Sequence, residues 1–429
     1  MLVNQKVRIL IFISLMQLYS SCTKKDNNPP DLFVQSPLSN EFFQLPCDIK
    51  VSGYVTDNEK VDRVEVNLVS ENSATIVQGF DLDSDSSYFE YDLSFIVEDL
   101  LLLSGNYFIN IKAYDEFGNF TSKYITLYLN EIPKTLESLI YITSNTNQTF
   151  IYQQDSIGAN SQLVKQSQGN HLLSIGNSRS QHLFVGTDQN GDFFDLNNFT
   201  KLWNVPVVSS NYPLFIDGSK SEDGNQSHLV LADGRINSYN KNGNIINTIY
   251  SNPQEWFGKF NFQENIVVVE SSSSFLDRDL VVYFRQSGIE KQRVEINGEI
   301  VKIVSVSNNE YAIFSQFLDE SRISIYYENL NQIYTDLELP NSIIYDAILL
   351  DNYLIFSSSN GLFKYDFNLN TLNSISSNIK PSKIILSEMD SFVYLTVGTE
   401  LWTYSGNGNL NYLSNYGDSI RNFIPVYNK

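Results

Sequence analysis

The chain is poor in the residues from which disulfide or metal frameworks are built. Its 429 residues include only two cysteines and three histidines. Two cysteines allow at most one bridge, so a disulfide-stapled scaffold is excluded and stability must come from packing. Methionine is equally scarce, with three residues, and helix signals are poor throughout. Positive charge is in short supply: 28 Lys and Arg face 49 Asp and Glu, a formal net charge of -21. Such a surface repels nucleic acid and anionic lipid, and no nucleic-acid partner is expected. Beyond the N-terminal segment no apolar run reaches the length of a membrane span, so no transmembrane helix is expected. G-x-S-x-G, zinc-ligand and P-loop patterns are missing. With 49 acids, chance carboxylate pairs are unavoidable and cannot nominate a glycosidase.

What the chain does have is aromatic and β-branched residues in short alternating runs. It carries 26 Tyr and 28 Phe, and Asn, Ser and Ile are abundant. Clusters of Asn, Gly, Asp and Ser separate the runs. That pattern fits half-buried pleated surfaces and predicts an all-β chain of two or three domains.

Lys6 and Arg8 precede the apolar run Ile9–Leu18, which is followed by Tyr19-Ser20-Ser21-Cys22. A charged start, a ten-residue apolar core and small residues before a cut form a secretory signal. The segment resembles a bacterial lipoprotein signal with Cys22 as the lipidation site. Lys24, Lys25 and Asp26 after it resemble the surface-export signal of Bacteroidetes-type lipoproteins. The resemblance implies a signal peptide over 1–21, a tether over 22–30 and a lipid anchor in the outer membrane, on the cell surface or facing the periplasm. Acylation of Cys22 leaves Cys47 without a partner. Removing Lys6 and Arg8 makes the charge about -23.

Residues 31–131 carry alternating strands. In Gly105–Leu129, Tyr107, Ile109, Ile111 and Ala113 face one way, Phe108, Asn110 and Lys112 the other, and Asp115–Asn119 forms a turn. The G-x-Y-x-I-x-I-x-A-x-D-x-x-G-N pattern resembles the final hairpin of bacterial immunoglobulin-like domains, which implies a β-sandwich. Asp81, Asp83, Asp85 and Asp92 imitate calcium-loop spacing. Ser86 stands where glycine is required, so a solvated loop is expected.

Residues 132–429 repeat. Two apolar strands, a turn, a strand often ending near Tyr and a weaker fourth strand recur, most clearly over 301–337, 342–376 and 382–414. Looser copies begin at His171 and near Pro213 and Phe257. The second strands anchor on Leu139, Leu183, Leu229, Ile266, Ala312, Leu354 and Val393, at intervals of about 37 to 46 residues. Four strands at this period predict a seven-bladed β-propeller. The first copy lacks its opening strand, and Ser419–Asn428 (SIRNFIPVYN) is an opening strand without a sequel. The C-terminal strand should therefore close the ring by completing the first repeat, removing two exposed edges. Asn360–Ser376 resembles propeller repeats of Bacteroidetes sensor proteins and of quinoprotein-like and kelch-like propellers. Regular Trp-containing quinone-dehydrogenase repeats are not seen, and no cofactor is inferred.

Two adjacent repeats carry Phe-Leu-Asp in their second-to-third loops, at Phe275–Asp277 and Phe317–Asp319. With Trp256 and Phe257 in the preceding connection, these residues form the candidate binding face: Trp256, Phe257, Phe275, Asp277, Phe317 and Asp319. Aromatic faces beside carboxylates suit a glycan or a protein partner. His182 and His228 open consecutive second strands and should lie on the opposite face as ordinary turn residues. Asp155–Ile157 and Asp418–Ile420 resemble the Bacteroidetes O-glycosylation triplet. The expected function is a lipid-anchored binding or scaffold module without catalytic or metal residues. The alternatives are a propeller-based polysaccharide hydrolase or lyase, or a structural subunit of an envelope assembly.

Overall fold

The computed structural model describes residues 26–206, 213–221, 223–263, 265–406 and 408–429. The expected signal peptide and Cys22 lie outside them. Apart from one short 3₁₀ turn at Glu328–Leu330, every regular element is a β-strand. No helix among the described residues is long and apolar enough to cross a membrane. The chain divides into two compact units, Met1–Pro133 and Lys134–Lys429.

The first unit is a single six-stranded sheet. Its strands are β1 (Asp31–Ser36), β2 (Glu41–Gln44), β3 (Cys47–Ser70), β4 (Thr75–Val97), β5 (Gly105–Asp115) and β6 (Phe120–Asn130). The order is β1-β3-β5-β6-β2, with β4 also paired to β3. β3 explains how one sheet encloses a core. Its first part, Ser52–Thr56, pairs β1, and its second part, Val61–Ser70, pairs β5, while β4 follows it along both. Register shifts between Thr56 and Val61 mark where the strand changes layers. Alternation then sends Ile49, Val51, Val55, Val64, Val66 and Leu68 into one cluster with Phe95, Ile109 and Leu129. The segment with calcium-like spacing is no loop. Asp81–Asp92 lies inside β4, because Phe80 and Tyr91 at its ends are pinned to β3.

The second unit contains seven four-stranded antiparallel sheets among the described residues. Their first strands are Ile420–Tyr427 (sheet one), His171–Asn177 (two), Phe215–Lys220 (three), Trp256–Phe262 (four), Glu299–Ser307 (five), Ile344–Leu350 (six) and Lys383–Leu386 (seven). Each first strand touches the next, and the seventh returns through Ile420–Tyr427 to His171–Asn177, so the inner strands form a closed cycle. This is the arrangement of a β-propeller. All seven anchors expected from the repeats fall in the second strand of their sheet. Sheet one is completed by the C-terminal strand, which pairs Leu136–Ser144 in antiparallel register with Pro425 opposite Leu139. Proline is tolerated there because the strand is a sheet edge.

Second strands are buried on both faces between neighbouring sheets. Val267, Val268 and Val269 of sheet four show no exposure and divide between two clusters, one towards sheet three and one towards sheet five. Each such side chain contributes roughly 1.5–3 kcal/mol of burial. Inner strands crowd the axis and need small residues. A Cβ on Gly176 would lie 2.1 Å from Ile424 of sheet one, so glycine permits the close approach that closes the ring.

Candidate functional site

Each inner strand starts at the end of the ring that carries the second-to-third and fourth-to-first loops. The polar side chains of these starting segments meet around the axis. Sheets two to seven contribute His171, Asp217, Lys259, Lys302, Asp346 and Lys383, and the closing strand contributes Arg421. Bulges re-aim several of them. In sheets three, five and six the register skips one residue directly before Asp217, Lys302 and Asp346.

The best-connected pair is Lys302 with Asp346, Nζ to Oδ1 at 3.5 Å. The Lys302 side chain keeps 43% exposure, whereas Asp346 keeps 6%. Asp346 is fixed by two backbone N–H groups, from Ala347 at 3.0 Å and Ile384 at 2.9 Å. Burial works to raise its pKa, but Lys302, Lys383 and these N–H groups outweigh it and hold the carboxyl below its ordinary range. Asp346 in turn raises Lys302 against the opposing effect of burial, and Asp217 adds to it from two sheets away. His171 is pushed down to about 3, first by burial and then by Lys383 and Arg421. It is a neutral imidazole at physiological pH, with Nε2 3.0 Å from the Ser174 hydroxyl. Lys259 donates to the Ile216 carbonyl at 3.1 Å, and Asp217 accepts the Phe260 N–H at 3.3 Å.

The axial end thus holds four cations, Lys259, Lys302, Lys383 and Arg421, against three carboxylates, Asp217, Asp346 and, further out, Glu299, in a chain whose net charge is -21. Lys383 and Arg421 are exposed there. A recess of about 440 Å³ opens beside them, lined by Ser144, Asn145, Thr146, Asn170, His171 and Arg421. At the far ends of the inner strands two lysines enclose one carboxylate. Glu388 sits between Lys134, at 2.7 Å, and Lys220, and its N–H donates to the Tyr427 hydroxyl. The two lysines overcome burial and hold Glu388 below its ordinary pKa. Both ends of the axis carry ion pairs, and at the cationic end Lys383 and Arg421 stay exposed beside the Lys302–Asp346 pair.

The expected binding face lies at the same end as the cations and is only partly a surface. Trp256 is 46% exposed and Phe275 64%, and Leu276, Phe317 and Leu318 are exposed beside them. Phe257 corrects the expectation. It is 1% exposed, packed edge-on to Tyr283 within the core between sheets three and four. Strand alternation places its side chain opposite to that of Trp256. Asp277 accepts a hydrogen bond from the Ser273 hydroxyl in its own turn, and the backbone carbonyl of Asp319 accepts the Ser342 N–H at 3.1 Å. The Asp277 carboxylate therefore serves its own loop.

His228 is fully buried, stacked 3.5 Å from Phe262, with Nδ1 2.8 Å from Ser238. Burial pushes it down to about 3. His182 lies edge-on to Phe193. Ser156 is exposed in a third-to-fourth loop, and the second triplet runs into the closing strand, where Ile420 is buried. In the first unit, Asp26, Asp57 and Asp115 each bring a carboxylate oxygen within 4.8 Å of the others, a grouping able to hold a metal ion. Asp115 also accepts the N–H groups of Phe117 and Asn119, at 2.9 and 2.7 Å, and so shapes the turn anticipated at Asp115–Asn119.

The axial ring was absent from the sequence reading. Its signal is positional. Lys259, Lys302 and Lys383 occupy the same early place in three opening strands (FGKFNF, VKIVSVS and SKIILS), and Arg421 does so in the closing one.

Comparison with known proteins adds little. No protein-family model matches the chain, and no curated protein matches it. One similar solved structure is a quinonprotein alcohol dehydrogenase-like protein from Bacteroides thetaiotaomicron. It has a TM-score of 0.45 and 10% identity, and the match covers 92% of this chain and 99% of that one. Nothing about function is built on it.

Proposed function

We propose that the chain is a binding module in which a seven-bladed propeller holds an anionic group of its ligand at the axial mouth. In this reading an immunoglobulin-like first unit acts as a stalk, and acylated Cys22 anchors the whole to the outer membrane. The observation that carries the proposal is the local inversion of charge. Four cations gather around one mouth of an otherwise acidic protein, and Lys383 and Arg421 remain exposed for a carboxylate or sulfate to pair with. The exposed rim of Trp256, Phe275 and Phe317 supplies apolar contact at the same end. An acidic oligosaccharide combines both demands, a negative group for the axis and C–H faces for the rim.

The test is fluorescence anisotropy with a labelled oligogalacturonide and a labelled heparin hexasaccharide. Binding that weakens with salt, and falls about tenfold or more in Lys383→Met with Arg421→Gln, is the expected result. Both side chains are exposed, so the variant should fold normally. Failure of both probes to bind, or equal binding by the variant, rejects the axial assignment. Palmitate incorporation that depends on Cys22, tested with Cys22→Ala on whole cells, checks the anchor separately.

A further inference from the structure

The opposite end of the ring carries a different kind of site. A cleft of about 630 Å³ lies between sheets four and five, and a second of about 420 Å³ lies between sheets three and four. They share Asn265, so one continuous groove crosses three sheets. Both volumes fall in the range of ligand pockets. The groove is made by first-to-second turns and third-to-fourth loops, the set of loops that the axial cations do not use.

Its chemistry is amide and hydroxyl. Gln263, Asn265, Ser307, Asn308 and Asn309 line the larger cleft, and Asn247 lines the smaller. The frame is rigid. Gln263 donates to Ser305 at 2.6 Å and accepts from the Tyr311 hydroxyl at 2.7 Å. Among the described residues of the lining, the charged side chains are already engaged. Lys291 is paired with the buried Glu328, and Arg285 lies over the Phe262 ring while donating to Gln226. One aromatic ring, Phe284, lines the larger cleft with 44% of its surface exposed.

We propose that this groove binds a neutral oligosaccharide. The exposed side-chain amides of Asn265, Asn308 and Asn309 offer donor and acceptor together and can bracket vicinal hydroxyls. An exposed phenyl ring stacks on the C–H face of a sugar ring. The engaged charges disfavour an ionic ligand, and the length across three sheets suits several linked sugar units. This assignment is independent of the axial one, because the two sites lie at opposite ends and ask for opposite charge character.

The test is isothermal titration of the purified chain with maltohexaose, cellohexaose, xylohexaose and mannohexaose up to about 10 mM, the weak limit of a useful site. Saturable binding of at least one is expected. Phe284→Ala should weaken it about three- to tenfold, the worth of one aromatic contact. Ser307→Trp, which fills the cleft without removing a core residue, should abolish it, with a thermal melt confirming the fold. Lys383→Met with Arg421→Gln should leave it unchanged. Absence of saturable binding across the panel overturns the proposal, as does binding that survives both groove variants or is lost with the axial pair.

Discussion

The two units solve the same problem, an all-β chain with exposed sheet edges, in opposite ways. The first unit keeps one sheet and bends it. β3 and β4 run side by side for more than twenty residues each and carry hydrogen bonds from one layer into the other. Its cohesion is therefore local to a long hairpin. The second unit has no such strand. Each sheet has four short strands, and apart from the Ile420 N–H bond to the Gly398 carbonyl at 2.8 Å the sheets meet chiefly through side chains and inner-strand contacts. Its cohesion depends on closure, because an open array leaves a face of sheet one and a face of sheet seven unburied. The lesson is that hydrogen-bond continuity stabilises the bent sheet, whereas topology stabilises the ring.

That contrast can be broken most directly by removing residues 418–429. The truncation opens sheet one and strips Phe423, Ile424 and Val426 from two core clusters. Calorimetry should show the ring transition lowered by more than about 10 °C while the transition of the first unit stays in place. Unchanged melting of both would contradict closure as the source of stability. A smaller loss is expected from Glu270→Ala. Glu270 is 2% exposed, pairs with Arg278 in its own sheet and accepts the Ile300 N–H of sheet five at 3.2 Å. Burial pushes this carboxyl up, and Arg278 pulls the other way. Removing it takes away the closest partner of the guanidinium, leaving Glu299 at 3.8 Å and the Phe275 carbonyl, and should cost about 3 kcal/mol in the ring alone. Chemical denaturation measures it, and the double variant Glu270→Met with Arg278→Leu should recover most of the loss.

The smallest effect is on pH dependence, and it separates the units cleanly because all three histidines belong to the ring. The folded pKa of His228 is depressed to about 3, against an ordinary value of 6.5. As pH falls below 6.5 the unfolded chain takes up a proton that the folded chain refuses. From His228 alone ring stability should drop by up to about 1.4 kcal/mol per pH unit down to pH 3, with no contribution above 6.5. Urea titrations at pH 7, 6 and 5 should show this slope added to that of His171, which is depressed equally, so His228→Gln should reduce the total slope without removing it. A slope that persists unchanged in the variant removes His228 as its source.

The ring was legible in sequence because second strands are apolar on both faces and recur at a period near that of a four-strand repeat. Leu354 and Val393 are readable as equivalents without any structure. The axial cations are not legible in sequence, because each is a lone lysine or arginine in an apolar strand and gains meaning only when inner strands from different repeats are superposed. Phe257 shows the complementary error. It was grouped with Trp256 by adjacency, although neighbouring residues on a strand point to opposite sides. Asp81–Asp92 misled through composition: acids at alternate positions of an exposed strand look like a loop when pairing with β3 is unseen.

The Thr135 carbonyl accepts the Asn428 N–H at 3.1 Å, and the Asn428 side chain accepts the Thr135 N–H at 3.0 Å. The two ends of the ring are therefore stitched into one place on its rim, and the order of its sheets around the circle has no obligatory beginning. A circular permutant that joins Asn428 to Thr135 and opens instead at the Gly169-Asn170 connection would carry sheet one as an uninterrupted meander, so that the ring would be assembled from seven equal parts rather than sewn shut by its final strand.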